Sequence, residues 1–477
     1  MWKENSNMIE QVKERKIDEY IKFYKRMLII AVPIMLQNGV SNFVGFLDNI
    51  MIGKVGTEQM TGVAIVNQLM FVMQLCFFGA VSGAGIFTAQ YFGQGNNDGV
   101  RKTFRFKLVI TTVIALSAIL IFYFLNVPLI SMYLKEEADT SLSLADTLLY
   151  GQKYLFIMIA GILAISIENS YSSTLRETGQ TFVPMVASVI AVFLNLGLNY
   201  LLIFGKFGMP CLGVEGAAYA TVISRVLQLV IVVGWTHFNT DKNPYVKGLF
   251  SISEMDQELV KKIIITGFPL LVNETLWAAG IAAQTQAYSV RGLEVVAGLN
   301  INSTIYNVFN IIFIALGDAV AIMVGQLLGA GKEKEAKQTA VRIMVFSVCS
   351  CVVIGSILFI TAPLFPRIYN TTEEVMELAT KLLRVTAVVM PLQGLLHIIY
   401  FTIRSGGKTL ITFMFDSMFL WVLAVPCAYV LSHFTGLNII TVFLLCNLLD
   451  AIKTVIGLVM FKKGIWINNI VGGTMNE

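Results

Sequence analysis

The sequence predicts an all-α integral membrane protein, with twelve transmembrane helices in two six-helix lobes related by a pseudo-two-fold axis along the membrane normal. Three observations carry this. Hydrophobic residues make up 56% of the 477 and charged residues only 13%, against about 25% charged in an ordinary soluble domain. With a mean hydropathy of +0.73, a soluble fold could not cover its own surface. Apolar runs recur along the whole chain, each near the roughly 20 residues that a membrane span needs. Finally, the first half of the chain repeats in the second.

The first 26 residues are polar and mixed in charge. They lack the short apolar core and small-residue cleavage site of a signal peptide, and Met8–Arg26 reads as a helix lying on the cytoplasmic surface. Twelve apolar runs follow, at 27–52, 58–92, 104–134, 150–175, 180–205, 212–238, 260–289, 294–328, 338–368, 380–404, 408–433 and 437–462. Runs this long, with Gly and Pro inside them, read as helices; a membrane β-barrel would show segments of about ten residues with alternating polarity. The expected organisation is an N-terminal segment 1–26, an N-lobe 27–238, a linker 239–262, a C-lobe 263–463 and a tail 464–477. The region His237–Lys262 holds the turn signal Asn243-Pro244 and the mixed-charge run Glu254–Lys262.

The repeat is in register at a constant offset of 236 over the first two spans: Ile29 with Ile265, Pro33 with Pro269, Gly56 with Gly292, Glu58 with Glu294, Gly62 with Gly298. Gln90-x-x-Gly93-x-Gly95 then matches Gln326-x-x-Gly329-x-Gly331. The offset is 235 at Pro128-Leu129 and Pro363-Leu364, and settles at 228 because the loop near Lys135–Thr147 is longer in the first half. There Arg176-x-x-Gly179-x-Thr181 matches Arg404-x-x-Gly407-x-Thr409, and Arg225 matches Lys453. Six spans per half is an even number, so both halves enter the membrane from the same side. That is a parallel repeat, which leaves a cleft between two lobes that can rock against each other.

The net charge of +4 is a topology signal. With the N-terminus inside, 24 of the 34 Lys and Arg fall on the inner side, which places both termini in the cytoplasm of a multi-pass plasma (inner) membrane protein. The basic balance is therefore no footprint for nucleic acid. Among other function classes, a membrane enzyme should show clustered His, Asp or Glu. The three His, at 237, 397 and 433, are not spaced as a metal pair. A P-loop is absent, as are a filter motif and a run of gating arginines. The six Cys show no paired framework and are expected as free thiols.

Several segments follow one another in order: Pro33–Gly53, Gln90–Gly95, Arg176–Thr181 with Pro184, Asn195–Gly205 and Gly213–Thr221. This ordered set, on a duplicated six-helix design, resembles the MATE (multidrug and toxic compound extrusion) family from about Leu28 to Lys463. The resemblance implies a monomeric secondary antiporter of the bacterial multidrug type. It would export organic, often cationic and aromatic, compounds in exchange for H⁺ or Na⁺, with no cofactor and no enzymatic step.

A carboxylate within a span is costly unless paired, hydrated or protonated, so each is a candidate site. Glu274 lies about 18 Å beyond Lys262 at 1.5 Å per residue, near the midplane; the resemblance carries the family's C-lobe cation-site Glu onto it. Asp48 sits in the outer part of span one, and the resemblance carries the N-lobe carboxylate onto it through Leu47-Asp48-x-x-Met51-x-Gly53. Family partners carry over to Asn195 and Thr221. Two positions depart from the pattern: Asn199, often Asp, and Gln393, Asp in sodium-coupled members. These departures weaken a charge-dense sodium cage, and burial disfavours a lone ionised carboxylate, so a proton is favoured as the coupling ion. Glu274 also has a purely structural reading as a helix–helix hydrogen bond, and Asp48 one as an interfacial, solvated Asp.

Asp416 or Asp318 could stand beside Glu274. Asp450 and Lys453, three apart on one helix, read as a local ion pair. Glu168 reads as a partner of Arg176 or Arg225. Arg176 and Arg404, each before a Gly, read as braces for the inner loops. Two alternatives stay open. A lipid-linked flippase of similar architecture would need a strongly cationic cleft, against the excess of acid in these spans. A non-transporting scaffold or receptor would have no use for buried carboxylates.

Overall fold

A computed structural model describes residues 2–134, 143–251, 256–369 and 371–472. Its twelve long apolar helices are α1 (Ile17–Gly53), α2 (Thr57–Gly93), α3 (Asn97–Phe124), α4 (Leu144–Glu177), α5 (Phe182–Phe204) and α6 (Val214–Phe238) in the N-lobe. The C-lobe holds α7 (Gln257–Ser289), α8 (Leu293–Gly329), α9 (Glu333–Ile368), α10 (Glu373–Ser405), α11 (Thr409–Phe434) and α12 (Ile439–Lys462).

The repeat is visible in the helix ends. Helices α2 and α8 both have 37 residues, and their ends are mates at the offset read from the sequence. Helices α4 and α10 stop at the mates Glu177 and Ser405. Past those ends Gly179 and Gly407 take φ of +85° and +76°, the left-handed conformation that a side chain disfavours.

Three expectations change. The stretch expected as a separate surface helix, Met8–Arg26, belongs to one unbroken helix from Trp2 to Gly53, because no Pro, Gly or cap interrupts it before the span. Part of the mixed-charge run, Glu254 and Met255, lies outside the described residues, and from Gln257 onward the run is the first turn of α7, capped by the Asp256 side chain on Leu259 N (3.2 Å). The loop expected near Lys135–Thr147 lies outside the described residues as far as 142; from Leu144 the chain is α4, with Ser143 as its cap.

Both termini lie on one side of the bundle, since α1 enters where α12 leaves; we call this the termini side and the opposite one the far side. On the far side each lobe has its own core. One runs from Ile52 through Val63, Phe77, Tyr154 and Ala218, all N-lobe residues. The other joins Ala287, Leu299, Leu382 and Val442, all from the C-lobe. On the termini side the cores mix: Met27, Ile30, Ala31 and Ile34 of α1 pack into the C-lobe among Leu316, Val320 and Met323, and Ala84 and Phe87 of α2 pack with Leu259 and Ile263 of α7.

The paired Gln-x-x-Gly motifs form this junction. Helices α2 and α8 cross so closely that a Cβ on Gly93 would collide with the Gln326 carbonyl, and one on Gly329 with the Gln90 carbonyl. Small residues permit such backbone approach. Each Gln then reaches into the other lobe. Gln90 Nε2 donates to Ser405 O at the end of α10 (3.1 Å); Gln326 Nε2 donates to Glu177 O at the end of α4 (2.7 Å). The chain ends fill the remaining valences. Arg26 Nη2 donates to Gln326 Oε1 (3.0 Å). The segment after α12 folds back, with Trp466 fully buried, Asn468 O accepting from Gln90 Nε2 (3.1 Å) and Ile470 N donating to Gln90 Oε1 (2.9 Å).

Candidate functional site

Lobes joined on one side and separate on the other enclose a cleft that opens to the far side. Its walls are marked by polar side chains that are exposed within spans: Asn42 on α1, Asn67 and Gln68 on α2, Asn300, Ser303 and Asn307 on α8. All lie in the far-side halves of their helices. Amides facing hydrocarbon would lack partners, so these positions face water.

In the N-lobe, Asp48 sits five residues before the end of α1, facing α5 and α6. Asn195 and Asn199 are one turn apart on α5, so their amides share a face. Asn199 Nδ2 donates to Asp48 Oδ1 (2.7 Å). With its amide turned so that the oxygen accepts from Thr221 Oγ1 (3.2 Å), Asn195 donates to both Asp48 oxygens (3.1 Å each). The buried Asn199 Oδ1 has no partner among the described residues. The structure thus brings together all four residues that the sequence singled out in this lobe. Nearby, Arg225 Nη1 donates to Gln228 Oε1 (3.0 Å) and Gln228 Nε2 to Glu168 Oε1 (2.9 Å), while Ser172 Oγ also donates to Glu168. Glu168 therefore meets Arg225 only through Gln228, because an amide of the right length stands between them.

The C-lobe is arranged differently. Glu274 lies near the middle of α7, 17 residues from Gln257 and 15 from Ser289. Tyr400 OH donates to it at a long 3.5 Å. Its neighbour Asn273 donates from Nδ2 to Tyr400 OH and to Asp416 Oδ2 (3.1 Å each), while Ser417 Oγ donates to Asn273 Oδ1 (2.7 Å). Asp416 is thus the acid that stands by Glu274, and Asp318 is elsewhere. Asp416 lies in one of two π-helical turns of α11, Met414–Met418 and Leu420–Ala424, a distortion that often accompanies functional positions. Lys453 Nζ donates to Asp416 Oδ1 (2.6 Å), so the expected local pair of Lys453 with Asp450 gives way to a pair between helices. Gln393 is not beside Glu274: it accepts from Tyr306 OH (2.6 Å) and donates to Asn447 Oδ1 (3.3 Å). Sequence reasoning missed Asn273, Tyr400 and Gln228; the available signal was a polar side chain interrupting an apolar run.

Among the described residues Arg176 and Arg404 make no hydrogen bond to the inner loops they were expected to brace. Both line a cavity of about 140 Å³ at the seam of the two lobes, with Asp318. The Arg404 guanidinium lies 5.4 Å from the ring centres of Phe78 and Phe401, contacts that hold it across the seam. Behind Arg176, fully buried Lys107 pairs with Glu177 and donates to Ser173 Oγ (3.0 Å).

Comparison with known proteins gives a consistent picture. The MatE family's sequence model matches residues 33–201 and 270–430, one stretch in each lobe. A probable multidrug resistance protein NorM of Thermotoga maritima is 24% identical over 457 residues, covering 94% of each chain. A probable multidrug resistance protein YoeA of Bacillus subtilis is 25% identical, covering 88% of this chain and 89% of that one. Among solved structures, the outward-facing conformation of a multidrug resistance MATE family transporter of the MOP superfamily superposes with a TM-score of 0.82 at 18% identity. It covers 92% of this chain and 96% of that one.

Proposed function

This chain belongs to the MatE family, and we propose that it is a secondary antiporter that exports organic compounds against an inward flow of protons, with Asp48 as the proton carrier. The observation that carries the reading is the packing. The lobes share cores on the termini side and keep separate ones on the far side, which is the form of one end state of a rocking cycle. The excess of Lys and Arg on the termini side assigns that side to the cytoplasm, so the cleft opens outward. Labelling from outside intact cells of a Cys placed at Asp241 would overturn this orientation.

Asp48 accepts from the amide nitrogen of Asn199, and from that of Asn195 once its amide is turned. The nest holds one carboxylate among neutral groups, and Asn199 turns its nitrogen rather than its oxygen toward it, which favours a proton over a sodium ion. Proton arrival from the cleft and substrate arrival from the cytoplasm then compete, since a carboxylate cannot hold both. Glu274, across the seam, serves cationic substrates. The test is dye efflux from proteoliposomes under proton and sodium gradients imposed separately. Efflux driven by the proton gradient at zero sodium supports the reading; efflux that needs sodium at fixed pH overturns the choice of ion.

A further inference from the structure

We propose that the cavity at the seam of the lobes binds a compact aromatic carboxylate, so that the protein takes organic acids at a site distinct from both carboxylate nests. Three facts of the cavity lead there. Its volume, about 140 Å³, is close to that of an engineered cavity known to take benzene. Phe77, Phe78 and Phe401 line it and offer ring faces and edges to an aromatic ligand. Its charged lining groups are two guanidiniums and two carboxylates: Arg176 and Glu177 from the N-lobe, Arg404 and Asp318 from the C-lobe.

Neither guanidinium nor Asp318 makes an ion pair within 4.0 Å among the described residues. The ion pair at the cavity runs instead between Lys107 and Glu177. Arg176 spends only its Nε, on Ser172 O of its own helix (3.4 Å). With Glu177 paired to Lys107, the unpaired groups leave one positive charge in excess. A single carboxylate restores neutrality and matches the planar donor fork of a guanidinium; a cation would add a second uncompensated charge. Because Arg176 and Arg404 come from opposite lobes, a carboxylate held by both also bridges the seam.

The step from binding to export rests on the antiport reading, but the binding itself does not. The test uses full-length protein in lipid nanodiscs, empty nanodiscs as blank, and three probes of one size: benzoate, benzamide and benzylammonium, followed by calorimetry or ligand-observed NMR. Benzoate should bind about tenfold tighter than benzamide, as expected for a charge-assisted hydrogen bond against a neutral one, and benzylammonium should bind weakest. Arg404→Gln and Arg176→Gln should each remove the preference for benzoate. Asp318→Asn, which deletes the repelling charge, should tighten benzoate, a gain that misfolding cannot imitate. Benzoate binding no tighter than benzamide, or weakened by Asp318→Asn, overturns the proposal. If benzoate fails to bind while a proton gradient still drives dye efflux, this inference falls and the antiport reading stands. If benzoate binds and no gradient drives efflux, the reverse holds.

Discussion

The two lobes descend from one repeat, yet their buried carboxylates live in opposite settings. Asp48 is held by neutral groups, the amides of Asn195 and Asn199 with Thr221 behind them, and the nearby Arg225 bonds to Gln228 rather than to Asp48. In the C-lobe the mate of Arg225 is Lys453, which is bonded to Asp416, and Asn273 ties Asp416 to the neighbourhood of Glu274. Among the described residues one lobe offers a carboxylate with no ion-pair partner within 4.0 Å; the other has an acid paired to a built-in cation. A site that must take up and release a mobile cation needs the first arrangement, and a site that must stay in shape benefits from the second.

The largest effect should come from breaking the N-lobe side. Asp48→Asn is expected to reduce gradient-driven efflux to background in everted vesicles, with substrate binding to the purified protein partly kept. Transport at the wild-type rate under a proton gradient would move the coupling site elsewhere.

Next in size is the built-in cation. Lys453→Met leaves Asp416 without its cation in the membrane, which should cost about 3–5 kcal/mol of stability. Converting both, with Asp416→Asn, should recover most of that, because a buried pair replaced by neutral groups is often close to even. Thermal unfolding in detergent reads both. If the single change is harmless, the pair is not what holds the C-lobe nest.

Glu274→Gln is expected to weaken cationic substrates by about tenfold, the value of one charge-assisted contact, and neutral substrates hardly at all. Equal losses for both classes in equilibrium binding would make Glu274 a packing residue.

The smallest effect concerns the junction on which both lobes pivot. Gln90→Ala removes the donor to Ser405 O and the acceptor for Ile470 N, at about 1 kcal/mol per hydrogen bond. It should shift the population toward opening on the termini side. Greater reactivity of a Cys introduced at Ala84, a buried position in the shared core, would register this; unchanged reactivity would mean that the junction does not set the balance.

Much of this was legible in the sequence because membrane physics writes it there. Span number follows from apolar runs, and the repeat from Gly, Pro and Gln positions in register; that the paired Gln-x-x-Gly motifs make α2 cross α8 came only with the structure. The N-lobe nest was legible through the resemblance to the MATE family, which carried its partners onto Asn195 and Thr221 and marked Asn199 as a departure. The C-lobe was not. Lys453 lies three residues from Asp450 and a local pair was the simplest reading, but the π-turns of α11 carry Asp416 toward it, and no local propensity announces a π-turn. Arg176 and Arg404 were misjudged for a related reason. Their place beside a helix-ending Gly says where the helix stops and nothing about which side of it faces the other lobe.

The central claim is that one carboxylate, Asp48, exchanges a proton for substrate. The most direct measurement is proton release on substrate addition, followed with a pH indicator in weakly buffered detergent solution of the purified protein. The account predicts release on adding a cationic substrate to the wild type and none from Asp48→Asn. No release from the wild type, or equal release from both, would contradict it.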